Sequence, residues 1–244
     1  MPLELGLLQQ AEAWEDFSRT IDKLDNTLRS WLAREWAHAA QFEHASIASF
    51  NRFSLELLAL GAAGDLVRAA NQAALDEVEH ARLSFAVASA YAGAGIGPGP
   101  LPLAALDLSG VELASVARDT ALDGCVNETL AAAEAEAAHH RASAPVVRAV
   151  LARVAADEAR HAALACQFVR WAIGVGDASV REAARTGFLN GTQQARNAPL
   201  SAANEPAAHA AHGRLSAGER HRIRLTTITE VLEPLGAALF DARG

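Results

Sequence analysis

Asp76-Glu77-Val78-Glu79-His80-Ala81 and Asp157-Glu158-Ala159-Arg160-His161-Ala162 are near-repeats, and each sets a Glu three residues before a His in an alanine-rich stretch of helical period. Each is preceded by a lone Glu in another such stretch. Glu43 lies 34 residues before Glu77, and Glu128 lies 30 before Glu158. Residues three apart share one face of a helix, so each repeat offers a carboxylate and an imidazole to the same space. A chain that turns four carboxylates inward must compensate them, because a buried unpaired charge is costly.

The rest of the chain reads as helix. Aromatic residues are 5% and β-branched runs of period two are scarce, so strands are not expected. One or two short helices are expected within residues 7–30. A first long helix is expected over about 30–60, ended by Gly61 to Gly64, and a second over about 66–92 with Asp65 as its N-cap. Residues 93–110 carry Gly93, Gly95, Gly97, Gly99, Pro98, Pro100 and Pro102 without helical period, and read as a long crossover. A third helix follows over about 111–140. A fourth spans about 146–174, with Pro145 at its start. Beyond it come a helix over about 179–194, a loop to Gly213, and a last helix opened by a Ser216–Glu219 capping box and kinked near Pro234. Two matching helix pairs suggest an internal duplication. The expected architecture is all-α, a single domain over 1–244 with a four-helix core at about 30–174 and a C-terminal extension at about 177–244 packed on it.

Glu-x-x-His also occurs at Glu35/His38 and Glu136/His139, so spacing alone does not select the site. Facing does. Glu77 and His80 share a stripe with Ala70, Ala73, Ser84 and Val87, and Glu158 and His161 share one with Leu151, Val154, Ala165 and Phe168. Glu43 falls with Trp36, Ala40, Ile47 and Phe50, and Glu128 with Ala121, Cys125, Ala132 and Ala135. Two divalent ions carry four positive charges, which four carboxylates neutralise and can bridge, while each imidazole supplies a neutral donor. Glu35, His38, Glu136 and His139 read first as surface ion pairs, with a second metal site or an entry route as the alternative. His44 is expected on an outer face or in packing, and His209, His212 and His221 in structural or solvent roles.

In this order and spacing the chain resembles the ferritin-like di-iron carboxylate superfamily over about residues 30–174. The resemblance implies a ferritin-like four-helix bundle, with the crossover between helices 2 and 3 and extra N- and C-terminal helices. It implies two Fe, with Mn open, held by Glu43, Glu77, His80, Glu128, Glu158 and His161. Asp76 and Asp157 match positions that orient the liganding imidazoles, and Arg160 matches the Arg that accompanies such an Asp. Glu79 takes that place in the first repeat. Trp36, Ile47, Phe50, Ser84, Cys125, Leu151 and Phe168 would wall a pocket beside the metals, and equally suit a helical core. Ser84 stands where a radical Tyr would sit in the ribonucleotide reductase subunits, and Ala132 where monooxygenase hydroxylases often carry Thr. The layout is more similar to small self-contained oxygenases.

The function expected from that resemblance is a di-iron oxygenase that activates O2 to oxidise a small, mostly apolar organic substrate by hydroxylation, desaturation or oxidative C–C cleavage. Cys125 and Cys166 make no C-x-x-C pair and no flavin motif is present, so an external reductase or electron donor is implied. The alternatives are a ferroxidase or iron-handling protein, a manganese catalase-like peroxide scavenger, and a non-catalytic helical module. A net charge of −8 argues against nucleic acid as partner. No run is apolar enough for a membrane span, and the start lacks the pattern of a signal peptide, so a cytoplasmic location is expected. A single Lys among 21 basic residues, with the alanine load, reads as bacterial coding bias. Apolar faces on the terminal helices would permit a homodimer.

Overall fold

In a computed structural model, which describes residues 14–102, 108–199 and 209–241, the chain is all-helical, with no strand among the described residues. Residues 14–21 are helical. They precede α1 (Asn26–Ala59) and α2 (Gly64–Ala92). A continuous rod follows, made of α3 (Leu113–Thr120), a π-helical segment (Ala121–Glu128) and α4 (Thr129–Arg141). Then come α5 (Pro145–Val175) and α6 (Ala178–Arg196). A 3-10 turn at His209–His212 leads to α7 (Ala217–Thr227), a second π segment (Ile228–Leu232) and α8 (Glu233–Phe240). Among the described residues no helix is long and apolar enough to cross a membrane.

The caps explain where the helices begin. The Asp25 side chain accepts from the backbone N–H of Thr27 and Leu28, so α1 starts at Asn26, earlier than the apolar period alone indicates. Asp65 is not the N-cap of α2. Ala63 holds that place without a side-chain bond, and Asp65 sits in the first turn, where it favours the positive end of the helix dipole. Gly93 ends α2 with a left-handed φ of 68°. Pro145 opens α5, Asp177 caps α6, and Ser216 and Glu219 form the reciprocal capping box of α7. The second π segment lies just before Pro234, where a kink is expected. Residues 93–102 and 108–112 of the connection between α2 and α3 carry no helix.

Contacts fix the direction of packing. The Asn71 amide donates to Ser54, and Arg29 donates to the Tyr91 carbonyl, so α1 and α2 run antiparallel. His139 contacts the Arg148 carbonyl while Glu128 stands opposite His161, so the rod and α5 also run antiparallel. The two hairpins meet through α2 and α5, where His80 faces Asp157 and His161 faces Asp76.

The apolar core is divided along this axis. One cluster gathers Leu57, Leu66, Val116, Val126, Phe168, Phe188 and Ile228, and another gathers Leu32, Trp36, Tyr91, Val147, Val150 and Leu151. The acidic residues fall between them. The C-terminal helices cover the rod: α6 lies on α3 and the first π segment, the Arg224 guanidinium of α7 pairs with Glu134 at 2.5 Å, and Phe240 of α8 meets Phe188 edge-on at 5.6 Å.

Gly187 allows α6 to press on α3, because a Cβ there would collide with the Arg118 carbonyl oxygen. Backbone does not yield as a flexible side chain does. Gly187→Ala is therefore expected to destabilise the protein by about 1–3 kcal/mol, read as a lower midpoint in thermal unfolding. An unchanged midpoint would mean that α6 is not held this closely.

Candidate metal centre

Glu77 and His80 project from the middle of α2, Glu158 and His161 from the middle of α5, Glu43 from α1, and Glu128 from the last residue of the first π segment. The structure brings all six together as two overlapping groups. Glu43, Glu77, His80 and Glu158 form one, and Glu77, Glu128, Glu158 and His161 the other, each with ligand atoms within 4.8 Å of one another. Glu77 and Glu158 belong to both.

The atoms show how they are shared. Glu77 turns Oε1 to His161 Nδ1 at 3.2 Å and Oε2 to His80 Nδ1 at 3.6 Å. Glu158 turns Oε1 to His80 Nδ1 at 3.7 Å and Oε2 to His161 Nδ1 at 3.3 Å. Glu43 stands on the His80 side alone, at 3.5 Å, and Glu128 on the His161 side alone, at 3.9 Å. Each position thus has one imidazole, one carboxylate of its own and two shared carboxylates. The set carries a charge of −4 when fully deprotonated, matched to two divalent cations.

Two atoms show that such a group fits. His80 Nδ1 and Glu77 Oε2 are buried and have no hydrogen-bond partner among the described residues. Native proteins rarely leave such atoms unsatisfied, and an ion between them is one way to satisfy both.

Without an ion, protons carry the compensation. Burial disfavours the charged His80, but the facing Glu43 and Glu77 outweigh it and raise the imidazole to about 11. His161 is raised to about 9 in the same way, against burial, by Glu158 and Glu77. Burial raises Glu43 to about 7 in spite of His80, and raises Glu128 well above the usual range, with Glu158 adding to it. Glu77 goes the other way. The imidazoles of His161 and His80 overcome its burial and lower it to about 2.

The outer nitrogens of the imidazoles are tied crosswise. His80 Nε2 lies 2.9 Å from Asp157, and His161 Nε2 lies 3.4 Å from Asp76. An aspartate on Nε2 keeps the proton there and leaves the Nδ1 lone pair for the centre. The absence of an Arg at position 79 is made good differently: Arg160 alone reaches both aspartates, Asp157 at 2.5 Å and Asp76 at 3.2 Å. Gln72 adds a hydrogen bond to Asp76 and Arg153 an ion pair to Asp157. Sequence reasoning missed Gln72 and Arg153, although each lies four residues before its Asp and they correspond in the two repeats. Arg160→Ala is expected to weaken metal binding about 10–100-fold in a competition titration with a chelator. Unchanged affinity would mean that the aspartates hold the imidazoles unaided.

A cleft of about 760 Å³ between α1 and the first π segment reaches Glu43, Glu128, Glu158 and His161. Phe42, Phe50, Phe53 and Leu164 give it apolar walls, and Glu56, Asp119 and Asp123 give it acidic ones. Phe50 covers the His161 ring at 4.8 Å. Of the other residues expected around a pocket, Trp36 and Leu151 lie in one apolar cluster, Cys125 and Phe168 in the other, Ile47 packs against Ala40, Ala81 and Phe85, and Ser84 is buried on α2.

Glu35, His38, Glu136 and His139 belong to neither group of ligand atoms. Glu136 pairs with His140 at 2.9 Å, and His38 stacks edge-on against Phe42. His44 is half-buried on α1. His212 hydrogen-bonds the Tyr91 hydroxyl at 2.9 Å, and His209 lies 3.6 Å from Glu219. Comparison of the chain with models of protein families, with curated proteins and with solved structures finds no match.

Proposed function

We propose that the protein is a dinuclear non-haem iron oxidoreductase of the ferritin-like four-helix type, which uses O2 to oxidise a small, mostly apolar organic substrate. The observation that carries this reading is the pair of overlapping four-residue groups sharing Glu77 and Glu158, with His80 Nδ1 and Glu77 Oε2 left unsatisfied in the interior. Iron bound there would supply the redox chemistry of O2.

The residues of the chain would do the rest. Glu77 and Glu158 would bridge, Glu43 and Glu128 would each complete one position, and His80 and His161 would donate through Nδ1. Asp157 and Asp76 hold the Nε2 protons and fix both rings. Glu43 and Glu128 keep about a fifth of their side-chain surface exposed, 19% and 20%, so the centre meets the cleft on their side. Phe42, Phe50, Phe53 and Leu164 would take the apolar body of the substrate, and Phe50 keeps water from His161. Electrons from outside the chain complete the stoichiometry of an oxygenase.

A second reading, iron handling, is favoured by the acidic cleft wall. Glu56, Asp119 and Asp123 would draw cations toward Glu128. One titration separates the two. Anaerobic protein is loaded with increasing Fe(II), exposed to air, and the iron oxidised per chain is counted. Saturation at two supports the oxygenase. Continued turnover of further iron supports iron handling, and failure to take up a second iron overturns the dinuclear reading with iron.

A further inference from the structure

We propose that Cys125 and Cys166 form a dithiol site that hydroperoxides oxidise to an intramolecular disulfide. They are the two cysteines of the chain, on different elements, and both are reduced in the structure. Cys125 lies in the first π segment and Cys166 on α5. These helices come close at Gly124, where an added Cβ would overlap the Ala165 methyl group. The next residue on each side is a cysteine, and both belong to one apolar region, Cys125 inside the cluster and Cys166 packed against it. A disulfide requires close Cα atoms and facing Cβ atoms, and the close approach of the two backbones at Gly124 and Ala165, one residue before each cysteine, favours that geometry.

The two thiols are not equivalent. Cys166 is half-buried, and the neighbouring Cys125 thiol, with Arg170 nearby, holds its thiol below the usual value in spite of burial. Cys125 is fully buried, and the neighbouring Cys166 and its burial push its thiol up. The thiolate is the nucleophile, so Cys166 reacts first. Gly124 and Ala165, the neighbours of the two thiols, line the cleft that opens to Glu128, which gives a small neutral oxidant a way in.

In the first step Cys166 sulfur attacks one peroxide oxygen. The O–O bond breaks, Cys166 becomes a sulfenic acid, and the departing oxygen takes a proton to leave as water, or as an alcohol from an organic hydroperoxide. In the second step Cys125 sulfur attacks Cys166 sulfur. The S–O bond breaks, the hydroxyl leaves as water with the Cys125 proton, and the disulfide forms. Two thiols give up two electrons and two protons, and the peroxide takes up both.

The test uses full-length protein freed of metal, so its result is independent of the proposed iron chemistry. Reduced protein is treated with hydrogen peroxide and followed by thiol titration, intact mass and a non-reducing peptide map. The expected result is that both thiols vanish together, the mass falls by two hydrogens, and the peptides of Cys125 and Cys166 are joined within one chain. Cys125→Ser should halt at a Cys166 sulfenic acid that dimedone traps, and Cys166→Ser should leave Cys125 reacting at least about tenfold more slowly. Two thiols persisting in excess peroxide, a disulfide between chains, or Cys125 reacting at the wild-type rate in Cys166→Ser would overturn the proposal.

Discussion

Glu77→Ala is expected to eliminate both metal ions, whereas Glu128→Ala is expected to eliminate one. The difference follows from which atoms are shared. Glu77 Oε2 faces His80 Nδ1 and Oε1 faces His161 Nδ1, so alanine at 77 takes a donor from each position. It also removes a charge from both, leaving three carboxylates against two divalent ions. Glu128 faces the His161 position alone, and its loss leaves Glu43, Glu77, His80 and Glu158 as a full group. Removal of partners that merely orient a ligand already costs about 10–100-fold in affinity, and removal of a bridging donor should exceed that at both positions. Metal content after anaerobic loading and desalting measures it, with circular dichroism to confirm that the helices remain. Glu77→Gln keeps the shape without the charge and should lose the ions as well. Two ions retained by Glu77→Ala would end the assignment of Glu77 as a bridge.

The helices and the inward set were legible because both rest on period. Long amphipathic stretches broken by Gly and Pro predict boundaries to within a few residues, and the observed α1, α2, α5 and α6 differ from them only at the caps. Asp65 shows why caps are harder: Asp suits both the N-cap and the first turn, and the sequence does not say which. The π segment was not legible at all. A local change from the α to the π hydrogen-bond pattern has no composition of its own, yet it sets how Cys125 and Glu128 face α5. Four Glu-x-x-His pairs were equal in spacing, and the structure separates them by burial: Glu77, His80, Glu158 and His161 are interior, while Glu35 and His139 are half-buried and His38 and Glu136 exposed. The cleft was hardest of all. Its walls come from α1, the rod and α5, which lie far apart in sequence, so of the residues grouped by helical facing Phe50 lines it while Trp36 and Phe168 serve the core.

Metal loading is expected to raise thermal stability strongly, and to do so more as pH rises. In the metal-free protein His80 and His161 stand at about 11 and about 9, above the ordinary 6.5. Their contribution is full below pH 6.5 and is lost as pH climbs through 9 and 11. Glu43, at about 7 against 4.5, contributes through its neutral form, which is lost between pH 4.5 and 7. Glu77, at about 2, contributes above pH 4.5 and loses that only as pH falls toward 2. Three of these four groups therefore weaken the metal-free fold toward alkaline pH, because its compensation is made of protons. Divalent ions replace those protons, so loading should release them, and the loaded protein should keep its stability where the metal-free protein loses it. Two ions, each at about a thousand times its Kd, contribute about 8 kcal/mol. At roughly 2–4 °C per kcal/mol for a chain of this size, that is a rise of about 15–30 °C in Tm. Calorimetric scans of both forms from pH 5 to pH 9 measure the gap, and titrations in buffers of different ionisation enthalpy count the protons. A Tm indifferent to metal, or a gap that narrows as pH rises, would show that the four inward carboxylates are compensated by something other than ions.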